Sequence, residues 1–305
     1  MPLRAPGRIT YTQWLNARGT LEADLTVTML DDEQFFVVAS DTAHRHAETW
    51  MRRHIGDAHA FVTDVTSGYA QINVQGPLSR ELMSAVTSAD MSNEAVPFRA
   101  ARFIDIGFAR VLCIRITYLG ELGYELHIPA EQAAAVYDRL VAAGEPLGLR
   151  HAGLKALASL RMEKAYRDYG HDIDNTDSVL EAGLGFAVAL EKPGGFIGRD
   201  AVVAQKAAGP LRRRLVQVLL NDPEPLLFHA EVVCRNGRPA GYIRSASYGF
   251  TLGGAVGLAM IDADEPISQR YLDEGEWSVR IGNATYPARA SLRPLYDPAS
   301  KRVQM

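Results

Sequence analysis

Two carboxylates lie inside segments whose other residues are mainly apolar or β-branched. Asp24 lies in residues 21–30 and Glu125 in residues 123–129, and both segments have the composition of strands. A carboxylate at such a position faces solvent, pairs with a partner or lines a cavity, because burying an unpaired charge is costly. Strand alternation places Asp24 on one face with Glu22, so the solvent-facing alternative stays open. Two carboxylates lining one cavity could accept N–H groups and exchange protons.

Two clusters of potential metal ligands lack the spacing that a metal site needs. His44 and His46 are two residues apart, so on a helix they face different sides, and neither has a histidine four residues away. The aspartate-rich stretch 171–177 lacks the glycine and the closing glutamate of a calcium loop. We therefore expect no metal site. The histidines, His54 among them, are expected on the surface, and the aspartates in a turn that caps backbone amides.

Three common catalytic or nucleotide-binding motifs are absent from the sequence. No complete GxGxxG follows a strand, and neither GxxxxGK[ST] nor GxSxG occurs. A self-contained dinucleotide site, a P-loop and a nucleophile elbow are therefore not expected.

The composition indicates a folded protein of a reducing compartment. Of 305 residues, 47% are hydrophobic and 22% are charged, and the net charge is −4, which excludes disorder and gives no basic surface for nucleic acid. No apolar run approaches about 18 residues, and the N-terminus carries no signal peptide, so we expect no membrane partner. Cys113 and Cys234 are too few for a disulfide scaffold. A cytoplasmic location is expected.

The periodicity predicts mixed α and β structure followed by an all-β region. Before residue 183, strand-like segments alternate with helical ones, and after residue 212 short strands recur about every ten residues, as in a small barrel or sandwich. A stretch rich in glycine and proline separates the two regions. The predicted elements are strands within 9–39, a helix at 42–55, a strand at 69–75, a helix ending at 86, strands within 102–128, and helices at 130–144 and 151–166.

Several motifs together resemble the folate-binding aminomethyltransferase family, the T-protein of the glycine cleavage system. The similarity covers nearly the whole chain in the family's order. The motifs are GRITYTQWLNARGTLEADLTVT (7–28), VQGPLSRELM (74–83), ITYLGELGYELHIP (116–129), LRMEKAYRDYGHDID (160–174), LEAGLGFAVAL (180–190), FIGRDA (196–201) and TLGGAVGLAMI (251–261).

The most similar branch is the C-terminal folate-binding half of dimethylglycine and sarcosine dehydrogenases. Residues 64–82, 209–229 and 288–298 are typical of that branch. The T-protein has an arginine where this chain has Leu157, which favours the dehydrogenase-like branch. The family normally carries a further segment before the stretch that matches residues 7–28. We expect exposed apolar surface and unpaired strand edges where that segment would pack.

The resemblance implies an α+β fold, a T-protein cloverleaf truncated at its N-terminus. Two ferredoxin-like α+β lobes precede a C-terminal β-barrel. The expected divisions are a partial folate-binding lobe at 1–78, a second lobe at 79–185, and a linker with the barrel at 186–305.

The resemblance also implies a site. The family's catalytic aspartate falls on Asp24, and its folate-binding residues fall on Tyr11, Tyr118 and Glu125. Glu125 would accept N–H groups of the pterin, the two tyrosines would flank or fix the ring, and Asp24 would act near the reacting nitrogens. The site contains no metal.

The implied function is tetrahydrofolate-dependent one-carbon transfer. The chain would capture an aminomethyl or methylene unit from an N-methyl amine such as dimethylglycine or sarcosine, with a separate flavin-dependent dehydrogenase subunit as a partner. Two alternatives stay open. One is a folate-dependent demethylase of a sulfonium or ether methyl group, and the other is a folate-binding protein without turnover.

Overall fold

The computed structural model describes residues 5–305, and its first unit is a three-stranded antiparallel sheet. Strands β1 (Arg8–Leu15), β2 (Leu21–Met29) and β3 (Phe35–Ala39) follow one another, and α1 (His44–His54) comes next. The β1–β2 turn contains Gly19 at φ +78°, a left-handed conformation that glycine adopts without steric cost. This hairpin carries Asp24.

The second unit is a four-stranded antiparallel sheet of order β4-β7-β6-β5. Its strands are β4 (Tyr69–Gln75), β5 (Ala101–Ile106), β6 (Ala109–Ile114) and β7 (Gly123–Pro129). Helices α2 (Ser79–Val86) and α3 (Ala133–Gly144) pack on one face, where alternate β7 residues from Tyr124 to Ile128 join the apolar core. Since β4 pairs with β7, the sheet draws on both sides of the expected boundary at residue 78, and that boundary stays a prediction.

The opposite face of this sheet packs against the first sheet. Ile9 of β1 and Phe36 of β3 form one apolar cluster with Leu112 and Ile114 of β6. The β1–β2 and β2–β3 registers put Ile9 and Phe36 on the same face as Asp24. The inner faces of the two sheets therefore meet at this cluster.

The C-terminal region forms a closed six-stranded barrel, as the resemblance implied. The strand order β10-β11-β8-β13-β12-β9 leaves no open edge, which settles the choice between barrel and sandwich. Its strands are β8 (Arg213–Leu220), β9 (Val232–Arg235), β10 (Arg238–Gly249), β11 (Gly254–Asp262), β12 (Trp277–Ile281) and β13 (Ala284–Ser291). The remaining helices are α4 (Leu154–Glu163), α5 (Arg199–Ala207) and α6 (Gln269–Asp273).

A buried ion pair joins α4 to the aspartate-rich turn. Asp172 is fully buried, and it accepts hydrogen bonds from Arg161 Nη1 at 2.5 Å, the Asp168 backbone N–H at 2.9 Å and the Ser245 hydroxyl of the barrel. The turn therefore caps backbone amides, as predicted. It also binds Arg161, which was not predicted, and ties α4 to β10.

Asp172→Ala is expected to destabilise the protein by about 3–5 kcal/mol, because it leaves the Arg161 charge buried without its partner. Urea unfolding measures this loss. Asp138→Ala, which changes an exposed aspartate on α3, should alter the free energy of unfolding by less than about 0.5 kcal/mol. Equal stability of the two variants would contradict the structural role of Asp172.

A pocket opens on the outer face of the first sheet, away from Asp24. It has a volume of about 600 Å³ and is bordered by Trp14 of β1, Trp50 of α1 and Phe196. Within residues 5–305, β3 pairs with β2 alone. No helix in this described part is long and apolar enough to span a membrane.

Candidate functional site

Asp24 is held by two side chains of the neighbouring strand. Gln13 Nε2 donates to Asp24 Oδ1 at 2.7 Å, and the Tyr11 hydroxyl donates to Oδ2 at 2.9 Å. Gln13 lies directly opposite Asp24 in the β1–β2 register, and Tyr11 lies two residues away on the same face of β1. The solvent-facing alternative for Asp24 is therefore wrong, since the carboxylate lies on the inner face of the first sheet and has fixed partners.

The environment of Asp24 brings its pKa close to neutral pH. Burial raises the pKa to about 6, although the hydrogen bonds from Gln13 and Tyr11 and the charge of Arg167 oppose the rise. A carboxyl group with this pKa is mostly ionised at pH 7 and can still exchange a proton readily. Asp24 can therefore act as a general base or stabilise a positive charge.

Aromatic rings lie beside Asp24. The ring of Tyr11 stacks on that of Phe186, with centroids 6.3 Å apart and an angle of 24° between their planes. Phe186 is 72% exposed, so this aromatic wall is open to a ligand. Burial and the neighbouring Asp24 raise the pKa of Tyr11 well above its usual value, so the phenol stays a hydrogen-bond donor.

Tyr118 and Arg167 form a second wall. The Tyr118 hydroxyl donates to the Arg167 carbonyl at 2.7 Å, and the Tyr118 ring stacks on Tyr166 with centroids 6.3 Å apart. The Arg167 guanidinium donates to the carbonyls of Ala165 and Ala182, which fixes its position. Both predicted tyrosines thus already donate their hydroxyl protons within the protein, and their ring faces are the parts left for a ligand.

Glu125 lies on β7, in the second sheet. Its side chain is 15% exposed and forms no hydrogen bond within residues 5–305, and the basic group within 4.0 Å of it in this part of the chain is His127, whose Nε2 lies 3.9 Å from Oε2. Burial raises the pKa of Glu125 to about 7. A buried carboxylate without donors is a site prepared for N–H groups from a ligand.

The structure brings the predicted residues together to different degrees. Tyr11 touches Asp24, and the Asp24 charge contributes to raising the pKa of Tyr118, so these three side chains lie close together. Glu125 makes no hydrogen bond to Asp24 within the described chain. It lies on the same face of β7 as His127, whose ring packs against Phe36 on the inner face of the first sheet. Both carboxylates therefore lie on the two sheet faces that meet.

Three further residues lie beside Asp24 or Tyr11 and were not predicted. They are Gln13, Phe186 and Arg167. Gln13 could have been found, because strand alternation places it on the face of Tyr11. The other two come from loops distant in sequence, and no local pattern places them beside Asp24.

The surface histidines have separate partners. His44 bonds Asp64 at 2.9 Å, His46 bonds Glu22 at 2.8 Å, and His54 bonds the Trp50 carbonyl at 2.8 Å. Across the chain from residue 5 onward, no group of three or more His, Cys, Asp or Glu side chains is placed to hold a metal ion.

Tyr11→Phe is expected to raise the pKa of Asp24 above about 6 by roughly half a unit to one unit, because the carboxylate loses a donor that favours its ionised form. Carbon-13 NMR titration of the aspartate carboxyls would measure the shift. Tyr137→Phe, which removes an exposed hydroxyl bonded to His151, is the matched control. An Asp24 midpoint that is equal in both variants would show that the Tyr11 hydrogen bond does not set this pKa.

Comparison with known domain families assigns both parts of the chain. The GCVT N-terminal domain matches residues 2–192, and the glycine cleavage T-protein C-terminal barrel domain matches residues 213–297. The chain belongs to the glycine cleavage T-protein family.

Longer curated proteins contain a stretch that is similar to this chain. The chain is 40% identical over 297 residues to 4-methylaminobutanoate oxidase (formaldehyde-forming) from Paenarthrobacter nicotinovorans, covering 97% of this chain and 35% of the relative. It is 35% identical over 318 residues to human mitochondrial sarcosine dehydrogenase, covering 99% and 34%. The chain thus spans about a third of the length of these curated relatives.

A solved structure shares the fold of this T-protein family member. It is the glycine cleavage system aminomethyltransferase T from Bartonella henselae, with a TM-score of 0.81 and 21% identity, covering 95% of this chain and 76% of that one. The α+β fold with a C-terminal barrel is therefore confirmed as the T-protein fold.

Proposed function

We propose that this chain catalyses tetrahydrofolate-dependent transfer of a one-carbon unit from an N-methyl amine. The observation that carries the proposal is Asp24, a partly buried carboxylate with a pKa of about 6 that Tyr11 and Gln13 hold in place. Such a group suits chemistry at an amine nitrogen, where a proton moves or a positive charge develops. Membership of the T-protein family and the activities named for the two relatives support the same reading.

Glu125 is proposed to bind the pterin of tetrahydrofolate. The pterin presents adjacent N–H groups, and a carboxylate that accepts two of them gains charge-assisted hydrogen bonds. Glu125 fits this role because it is buried and has no donor of its own within residues 5–305. The rings of Tyr11 and Tyr118 are proposed to flank the pterin, since their hydroxyls are already bonded.

Asp24 is proposed to act at the reacting nitrogens. Tetrahydrofolate supplies two nucleophilic nitrogens that can bridge a one-carbon unit. Ionised Asp24 can stabilise a cationic donor or remove a proton from an attacking amine, and its pKa of about 6 allows it to release that proton again. Tyr11 and Gln13 keep the carboxylate oriented during these events.

The source of the one-carbon unit is proposed from the activities that the two relatives are named for. Their names describe oxidation or dehydrogenation of N-methyl compounds, and the chain matches about a third of each. We propose that a flavin-dependent dehydrogenase, as a separate subunit or another part of a longer polypeptide, oxidises an N-methyl amine such as sarcosine or dimethylglycine. The chain would then take the one-carbon unit.

A capture experiment tests the proposal. A flavin-dependent sarcosine dehydrogenase domain is incubated with sarcosine and tetrahydrofolate, with or without the purified chain, and 5,10-methylene-tetrahydrofolate and free formaldehyde are measured. The chain should increase the first and decrease the second. Tetrahydrofolate binding by calorimetry without any increase would identify a binding protein without turnover. If the chain neither binds tetrahydrofolate nor increases the product, the proposal is overturned.

A further inference from the structure

His127 is a buried side chain beside Glu125 that the proposed chemistry leaves unused. It is 3% exposed, and its Nε2 atom has no hydrogen-bond partner within residues 5–305. This nitrogen lies 3.9 Å from Glu125 Oε2. The two residues are separated by one position on β7, so strand alternation places both on the inner face.

The surroundings of His127 limit where its ring can point. Phe36 of β3 packs edge to face against it with centroids 4.9 Å apart, and Leu112 lies opposite on β6. On the other side, Gln71 of β4 lies opposite, and its side-chain amide already donates to Asn73. Glu125 is the titratable side chain that faces the ring from its own strand. Among the described residues, Glu125 is thus the carboxylate within 4.0 Å of the unbonded Nε2.

The distance between the two groups allows a bond that is not yet made. Hydrogen bonds of this kind span about 2.7–2.9 Å, so a movement of roughly 1 Å by the carboxylate would close the gap of 3.9 Å. Burial lowers the pKa of His127 to about 4, so the ring is neutral at pH 7 and donates through an N–H group. Ionisation of Glu125 makes that bond favourable, because the carboxylate then accepts it as an anion.

The surface is open to solvent on the β4 side of Glu125, where a ligand would reach the carboxylate. Asn73 lies opposite Glu125 on β4 and is exposed, and Gln71 beside it is exposed as well. One Glu125 oxygen can thus turn toward this opening while the other faces His127. His127 is placed to determine which oxygen faces the imidazole ring and which faces the opening.

We propose that His127 is a positioning residue whose Nε2–H holds one oxygen of Glu125, so that the carboxylate presents a fixed edge to paired N–H groups of a bound pterin. The proposal rests on the function proposed above. It adds a residue that does not touch the reacting atoms and acts through Glu125.

The test compares four variants by calorimetry with tetrahydrofolate: His127→Phe, His127→Gln, Glu125→Gln and the double variant His127→Phe/Glu125→Gln. His127→Phe keeps an aromatic ring and removes the donor, and it should weaken binding about tenfold. His127→Gln keeps a side-chain N–H and should bind within about threefold of the wild type. In the double variant, His127→Phe should add no further loss to that of Glu125→Gln, because its effect passes through the carboxylate.

The outcomes separate this inference from the proposed function. If the wild type binds tetrahydrofolate and Glu125→Gln weakens binding, but His127→Phe binds like the wild type or adds its loss fully to that of Glu125→Gln, the positioning role is overturned and the folate site stands. If the wild type does not bind, the proposed function fails. Carbon-13 NMR titration of Glu125 then tests the pairing alone, since loss of the donor should raise the Glu125 midpoint, and an unchanged midpoint would exclude the pairing.

Discussion

Replacing Asp24 by asparagine is expected to reduce folate-dependent one-carbon transfer by about 10²–10³-fold while leaving tetrahydrofolate binding within about threefold. Asparagine has nearly the same shape, and its amide oxygen can still accept a hydrogen bond from Tyr11 or Gln13. It can neither take up a proton nor stabilise a positive charge as an anion. The loss should therefore appear in the rate of transfer and spare the folding and the binding.

The pH dependence of the same variant provides a second readout. Because burial raises the pKa of Asp24 to about 6, wild-type transfer should rise between roughly pH 5 and 7 as the carboxyl group ionises. Asp24→Asn should lose this limb. Asp32→Asn changes an exposed aspartate in the β2–β3 turn and should keep both the rate and the limb. A variant at Asp24 with near wild-type rate would remove Asp24 from the catalytic role.

The strands that carry the site were predictable because their signal is local. Alternation and β-branched residues mark β1, β2 and β7 in the sequence, and the same alternation pairs Tyr11 with Asp24 once the hairpin is recognised. The recurring short strands after residue 212 likewise indicate the barrel. Each of these features depends on neighbours only a few residues apart.

The assembly of the candidate site was not predictable because it depends on contacts between residues distant in sequence. Period-2 patterning assigns Asp24 and Glu125 each to a face of a strand, but it cannot tell which face of one sheet packs against which face of another. The cluster of Ile9, Phe36 and Ile114 decides that here. Arg167 comes close enough to act on the charge of Asp24 from the loop after α4, more than 140 positions away, and no periodicity reports such proximity.

Glu125→Gln is expected to weaken tetrahydrofolate binding by about 30–100-fold and to stabilise the free protein at the same time. Binding falls because an amide replaces a carboxylate that would accept charge-assisted hydrogen bonds, each contributing about 1.5–3 kcal/mol. Stability rises because the cost of burying the ionised carboxylate exceeds what the single bond proposed to His127 offsets, and that cost disappears with the charge. A residue that only supported the fold would lower stability when replaced.

The pKa of Glu125 fixes the pH range of this stabilisation. Burial raises the pKa from 4.5 to about 7, so between these values the folded state holds more protons than the unfolded state, and the free energy of unfolding falls as pH rises. A pKa shift of this size corresponds to a destabilisation of the wild type by about 3 kcal/mol. This destabilisation is present in full above pH 7 and absent below pH 4.5.

Urea unfolding of Glu125→Gln should show greater stability than the wild type at pH 8 and no difference at pH 4.5. Glu94→Gln, an exposed change, should match the wild type at both pH values. If Glu125→Gln were less stable than the wild type at pH 8, the folded protein would stabilise the ionised carboxylate beyond the single bond proposed to His127, and its assignment as the open acceptor for the pterin would be wrong.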